Sequence, residues 1–181
     1  QKENNNYFRF LIYKNNNIIL ENDKWKNNEE EHYLEYMNNI LTKGIKRNDR
    51  TGTGTVSLFG LQLKYNLQDT FPISTTKKMF FRAIFEELML YLRGQTDNKI
   101  LNKKKIHIWD GNTSKEFLEK RKLNYTEGDM GETYGFNFRH FGGNYIGCSE
   151  NHTGGFDQLK EVIRLIKEEP ESRRIIINLW N

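Results

Sequence analysis

The chain has 181 residues, 36% of them hydrophobic and 13% aromatic, enough for one domain with a core, which excludes a disordered polypeptide. With 28 Lys+Arg against 24 Asp+Glu the net charge is only +4, and outside Lys103-Lys104-Lys105 the lysines are scattered, so an anionic small molecule suits it as well as a polynucleotide. A single cysteine, Cys148, excludes an internal disulfide, the four histidines lack metal-ligand spacing, and no apolar run approaches the roughly 18 residues of a membrane span; we expect no metal, no membrane association and a cytoplasmic location.

Taken in order, Tyr7 to Tyr13 is β-prone and Ile18-Ile19-Leu20 follows as a second short strand, while residues 21–31 are polar and read as a linker. Tyr33, Tyr36, Met37, Ile40 and Leu41 recur at helical spacing from about Glu30 to Lys43, and Gly44 stands where a left-handed cap is expected. Next comes Asn48-Asp49-Arg50-Thr51-Gly52-Thr53-Gly54-Thr55, a cation followed by alternate glycines, which can gather backbone N–H groups and a guanidinium around an anion. Phe59, Leu61, Leu63 and Tyr65 alternate as in a strand with one apolar face. Thr75-Thr76 can cap a helix running from about Thr76 to Arg93.

That helix carries Glu87, which by the 3.6-residue period falls on the stripe of Phe80, Ala83, Ile84, Leu88 and Tyr91, whereas Glu86 faces Arg82. A carboxylate on an apolar face must find partners or shift its pKa, and such groups concentrate at functional sites, although a Glu satisfied by Tyr91 would look the same. Ile106-His107-Ile108-Trp109 breaks at Asp110-Gly111-Asn112, a turn able to hold Trp109 and Asn112 at a pocket rim. A short helix follows around Ser114 to Lys122. The glycine-rich stretch Glu127 to Gly155, with Tyr134, Phe136, Phe138, His140, Phe141 and Tyr145, reads as a loop-dominated, substrate-facing surface. Cys148 has no neighbouring cation to activate it. Leu159, Val162, Ile163 and Ile166 define a last helix, ended by Pro170, and Arg173-Arg174 leads into a buried strand at Ile175-Ile176-Ile177.

The run from Asn48 to Gly54, followed by Phe71-Pro72, Thr75-Thr76-Lys77, Glu86-Glu87-Leu88, Ile108-Trp109-Asp110, Gly128-Asp129, Tyr134-Gly135-Phe136, Arg139-His140-Phe141-Gly142, Asp157-Gln158-Leu159 and Ser172-Arg173-Arg174-Ile175-Ile176, resembles the N-terminal part of thymidylate synthase. The resemblance implies an α/β (α+β) fold, a mixed β-sheet flanked by helices, over residues 32–181. It also implies reductive methylation of dUMP to dTMP with 5,10-methylenetetrahydrofolate. On that basis Arg50 would bind the dUMP phosphate, and Arg173 and Arg174 would reach the phosphate in the partner's site of a homodimer. Glu87 would organise proton transfers, Tyr134 would line the site, and Lys77, Phe80, Ile108, Trp109 and Asn112 would meet the folate.

The family's nucleophile sits in a Pro-Cys-His segment that this sequence does not contain and Cys148 does not match, so the chain alone is expected to be inactive. Leu90, Glu132 and Asn178-Leu179 also depart from the family's usual residues. Tyr7 to Lys14, with the pattern aromatic-x-Phe-x-x-Tyr-Lys, bears a shorter resemblance to the last strand of dihydrofolate reductase, which implies that residues 1–20 are the end of a reductase domain in a bifunctional arrangement. Two other readings compete: a pyrimidine hydroxymethylase of the same fold, acting on dCMP, and a catalytically dead nucleotide- or RNA-binding module.

Overall fold

The computed structural model describes residues 12–14, 17–19, 28–48, 52–68 and 71–180. The chain divides into two compact units, Gln1–Met79 and Phe80–Asn181.

In the first unit, β1 (Ile12–Lys14) and β2 (Asn17–Ile19) form an antiparallel ladder in which Ile12 opposes Ile19. Helix α1 (Asn28–Lys43) opens on Glu29, Glu30 and Glu31 and ends on Lys43, charges that match the helix dipole at both ends. It takes in residues 28–31 of the polar segment. Gly44 follows without a left-handed backbone. Glycine is required there by close approach instead, since a Cβ would stand 2.3 Å from the Ile40 carbonyl oxygen and 2.6 Å from Val56 Cγ1. A second antiparallel ladder pairs β3 (Ile45–Arg47) with β4 (Thr55–Ser57). Within the loop they enclose, Gly52 and Gly54 both have φ of +77°, which glycine alone adopts freely.

The alternating segment Phe59–Tyr65 forms no strand. A strand holds only when neighbours take its N–H and C=O groups; among the described residues this one has no ladder partner, and Phe59, Leu61, Leu63 and Tyr65 are all exposed. The predicted strand at Ile175–Ile177 is likewise absent from the sheets. That segment is tied instead by Gln158, whose Nε2 donates to the Asn178 carbonyl (2.7 Å) and whose Oε1 accepts from the Asn178 N–H (2.8 Å).

The second unit is helical: α2 (Phe81–Leu92), α3 (Lys99–Asn102), α4 (Asp110–Thr113), α5 (Lys115–Lys120), α6 (Tyr134–His140) and α7 (Gln158–Glu168). Its core joins Ala83, Leu90 and Tyr91 of α2 to Leu101, Ile106 and Met130, with Ile100, Trp109 and Phe138 packed against them. Arg139 binds the unit together, donating from Nε and Nη2 to the Asp157 carboxylate (2.9 to 3.1 Å) and from Nη1 to the Leu92 carbonyl (3.0 Å). Asp157 also caps α7 by accepting from the Lys160 N–H at 2.9 Å. In the same way Ser114 caps α5, accepting from the Phe117 N–H at 3.2 Å.

Candidate functional site

Helix α2 begins five residues later than its sequence suggests, because Thr75 and Thr76 are engaged elsewhere. Glu30, only 8% exposed, accepts the Thr75 and Thr76 backbone N–H groups (2.7 and 2.9 Å), the Thr76 hydroxyl (2.8 Å) and the Thr75 hydroxyl. Burial by itself would raise the Glu30 carboxyl, but these donors outweigh it and hold it down at about 2.

The buried stripe of α2 is also turned from the expected one. Ala83, Leu90 and Tyr91 face the core with Glu87 between them, whereas Phe80, Ile84 and Leu88 are exposed. Glu86 pairs with Lys104 Nζ, and Arg82 donates to the Lys104 carbonyl, so the expected contact between Glu86 and Arg82 is replaced.

Glu87 is half-buried, and both of its hydrogen bonds among the described residues fall on one oxygen. Oε1 accepts from Trp109 Nε1 at 2.6 Å and from the Tyr91 hydroxyl at 2.9 Å. Oε2 accepts from no other side chain or backbone group among the described residues. Burial, and after it the Glu87 carboxylate, pushes the Tyr91 phenol well above its ordinary range, which keeps Tyr91 a donor. Tyr134, 45% exposed, meets Tyr91 edge-on with ring centroids 5.4 Å apart. Four residues therefore converge: a carboxylate with one oxygen fixed and one available, two donors that fix it, and an aromatic ring beside them. Such an arrangement can accept a proton or orient a water while its own rotation is blocked.

The turn that delivers Trp109 is built from Asn98, which the sequence did not mark. Only 2% exposed, its Nδ2 donates to Asp110 Oδ1 (2.9 Å) and Thr113 Oγ1 (3.2 Å), and Thr113 Oγ1 donates to the Trp109 carbonyl (2.9 Å). Hydrogen bonds from Asn98 and His107 hold the Asp110 carboxyl below its ordinary value. Asp129 is a second buried anchor, accepting from the Tyr145 hydroxyl (2.5 Å), the Gly131 N–H (2.7 Å) and the Cys148 N–H (3.2 Å). The glycine-rich stretch thus turns part of its chemistry inward, with Phe136 wholly buried, while Tyr134 stays exposed.

The other expected site residues that are described make no hydrogen bond to Glu87. Arg50 lies outside the described residues. Arg173 and Arg174 are exposed, and their guanidinium groups have no partner among the described residues. Lys77 is exposed in the first unit. Phe80 (56%) and Ile108 (47%) present open apolar surface, and Asn112 is exposed, its N–H donating to the Trp109 carbonyl at 3.1 Å. Cys148 is half-buried; burial and then Asp129 push its thiol up, the opposite of activation. No group of three or more metal-ligating side chains occurs among the described residues, and no helix among them is long and apolar enough to cross a membrane.

The sequence matches the family model for thymidylate synthase over residues 31–181, and the chain belongs to that family. It is 50% identical over 155 residues to a bifunctional dihydrofolate reductase-thymidylate synthase of Zea mays, covering 84% of this chain and 30% of that protein. A protein of the same name from Leishmania amazonensis is 48% identical over 159 residues, 86% of this chain and 31% of the relative. One from Paramecium tetraurelia is 43% identical over 176 residues, 96% of this chain and 38% of the relative. The chain therefore spans about a third of the length of the curated relatives it matches.

Proposed function

We propose that residues 32–181 are the N-terminal part of a thymidylate synthase domain that methylates dUMP to dTMP, with 5,10-methylenetetrahydrofolate as co-substrate. The observation that carries the reading is the Glu87 carboxylate, fixed on Oε1 by Trp109 and Tyr91 with Oε2 available, in a chain that belongs to the family. The names of the relatives support a bifunctional origin, in which residues 1–20 close a reductase domain and residues 21–31 lead into the synthase.

The residues present fit a folate. Open apolar surface at Phe80 and Ile108, the Trp109 indole and the exposed Asn112, all in the second unit, suit a flat ring with polar edges; to these the family resemblance adds Lys77, whose ammonium suits an acidic tail. When bound, the folate supplies the one-carbon unit and the reducing hydride. Glu87 holds a water or proton at Oε2, Trp109 and Tyr91 prevent that carboxylate from turning away, and Tyr134 narrows the approach. Arg50 grips the dUMP phosphate, and Arg173 and Arg174 extend from one protomer toward the phosphate in the partner's site of a homodimer, a role that planar, bidentate guanidinium groups serve well. Cys148 is no nucleophile, so these 181 residues bind but do not turn over.

The test is calorimetric titration of the chain with dUMP, with the folate and with RNA, beside a tritium-release assay on dUMP labelled at C5. Saturable dUMP and folate binding with no tritium release supports the reading. Turnover would overturn the claim of inactivity. RNA binding that is steeply salt-dependent and indifferent to dUMP would replace the synthase reading with a nucleic-acid-binding one.

A further inference from the structure

We infer that Asn98 is a positioning residue for the contact between Trp109 and Glu87, acting through the short helix α4. The Asn98 side chain is 2% exposed, and its carboxamide reaches both ends of α4, Asp110 at the first residue and Thr113 at the last. Trp109 is the residue that opens this helix, with φ −107° and ψ −1°, and its carbonyl accepts from the Asn112 N–H, the Thr113 N–H and the Thr113 hydroxyl. Its backbone is therefore held from the Asn98 side while its indole is held by Glu87 at 2.6 Å. Asn98 is itself fixed, because its N–H donates to the Gly128 carbonyl at 2.9 Å.

The side-chain Oδ1 of Asn98 is buried with no hydrogen-bond partner among the described residues. An orphaned buried carbonyl costs stability, so this amide is not accounted for by packing alone; its two donated bonds are what the position supplies. A leucine or valine would fill the space and leave Asp110 and Thr113 unheld. The indole, on a loosened α4, would then sample orientations that miss Glu87, and the carboxylate would regain rotation about its side chain.

The relevance to catalysis rests on the proposed function, but the contact can be tested without any ligand, so the two fail separately. In a W25F/W180F background Trp109 is the sole indole. The readout is the shift in its emission maximum caused by Glu87→Gln, measured with Asn98 present, in N98A, and in N98D, where a carboxylate confronts Asp110. A final chain carries N98D with D110N, which reverses donor and acceptor and restores one bond between these two positions. We expect the Glu87→Gln shift to fall at least fivefold in N98A and N98D and to recover at least half its size in the double exchange. An undiminished shift in either single variant would overturn the inference, as would a double exchange that folds stably yet leaves Trp109 insensitive to Glu87. Where N98A does not fold, N98D and its exchange partner decide the matter alone.

Discussion

Replacing Glu30 by glutamine keeps the side chain's size but removes its charge and gives one oxygen's place to an NH2 group. Of the four donors from Thr75 and Thr76, three meet Oε1 and only the Thr75 hydroxyl meets Oε2, so an amide whose oxygen takes the Oε1 place keeps three bonds in weaker, neutral form and loses the fourth. The folded carboxyl ionises at about 2 against an ordinary value of 4.5, and the gap converts to a ceiling of roughly 3 kcal/mol at neutral pH. Because the amide oxygen keeps three of the bonds in neutral form, the expected value is about 2 kcal/mol. Because the folded value lies below the unfolded one, the stabilisation is fully present above pH 4.5 and is lost as pH falls toward 2. Urea unfolding followed by circular dichroism at pH 7 and at pH 3 reads both features. E30Q is expected to be about 2 kcal/mol less stable at pH 7, with the difference shrinking at pH 3 as the parent loses its advantage. A difference that stays constant between the two pH values, or no difference at pH 7, would refute the reasoning.

Three further predictions concern the second unit. A Cβ on Gly135 would stand 2.2 Å from the Gln95 carbonyl oxygen, so Gly135→Ala is expected to cost about 3 kcal/mol in urea unfolding, since the obstacle is backbone and not a flexible side chain. Arg139→Lys keeps the charge but gives up the fork that holds Asp157 and the Leu92 carbonyl together; for this half-buried pair we expect a loss of about 1–2 kcal/mol, whereas Asp157→Asn, which retains an oxygen for the α7 cap, should cost less at α7 than Asp157→Ala in amide exchange.

The local features of this protein were legible in its sequence, and the long-range ones were not. Helical spacing identified α1, α2 and α7, and Glu87 stood out because a period of 3.6 puts it on an apolar face. Periodicity does not say which edge of a broad apolar stripe is covered. Helix α2 is apolar nearly all round, so either Ile84 and Leu88 or Leu90 could have faced inward, and contacts with Leu101 and Ile106 decided for Leu90. The alternation in Phe59–Tyr65 was equally readable, yet a strand also requires a partner, which no property of those seven residues supplies. Glu30 and Asn98 were invisible for the same reason. Glu30 meets its partners 45 and 46 residues away, and Asn98 meets Asp110 and Thr113 12 and 15 residues away, separations at which no local pattern connects them. Trp109 and Glu87, 22 residues apart, were each picked out by chemistry and family motif; only the fold showed that they touch.

The central claim is that Glu87, held by Trp109, is the working carboxylate of a folate-binding surface. It is tested most directly by titrating 5,10-methylenetetrahydrofolate into the W25F/W180F chain while following Trp109 fluorescence. The account predicts saturable quenching, with the apparent dissociation constant raised at least tenfold by Glu87→Gln and no response once Trp109 is replaced by phenylalanine. Absence of quenching, or quenching of equal affinity in the Glu87→Gln chain, would contradict it.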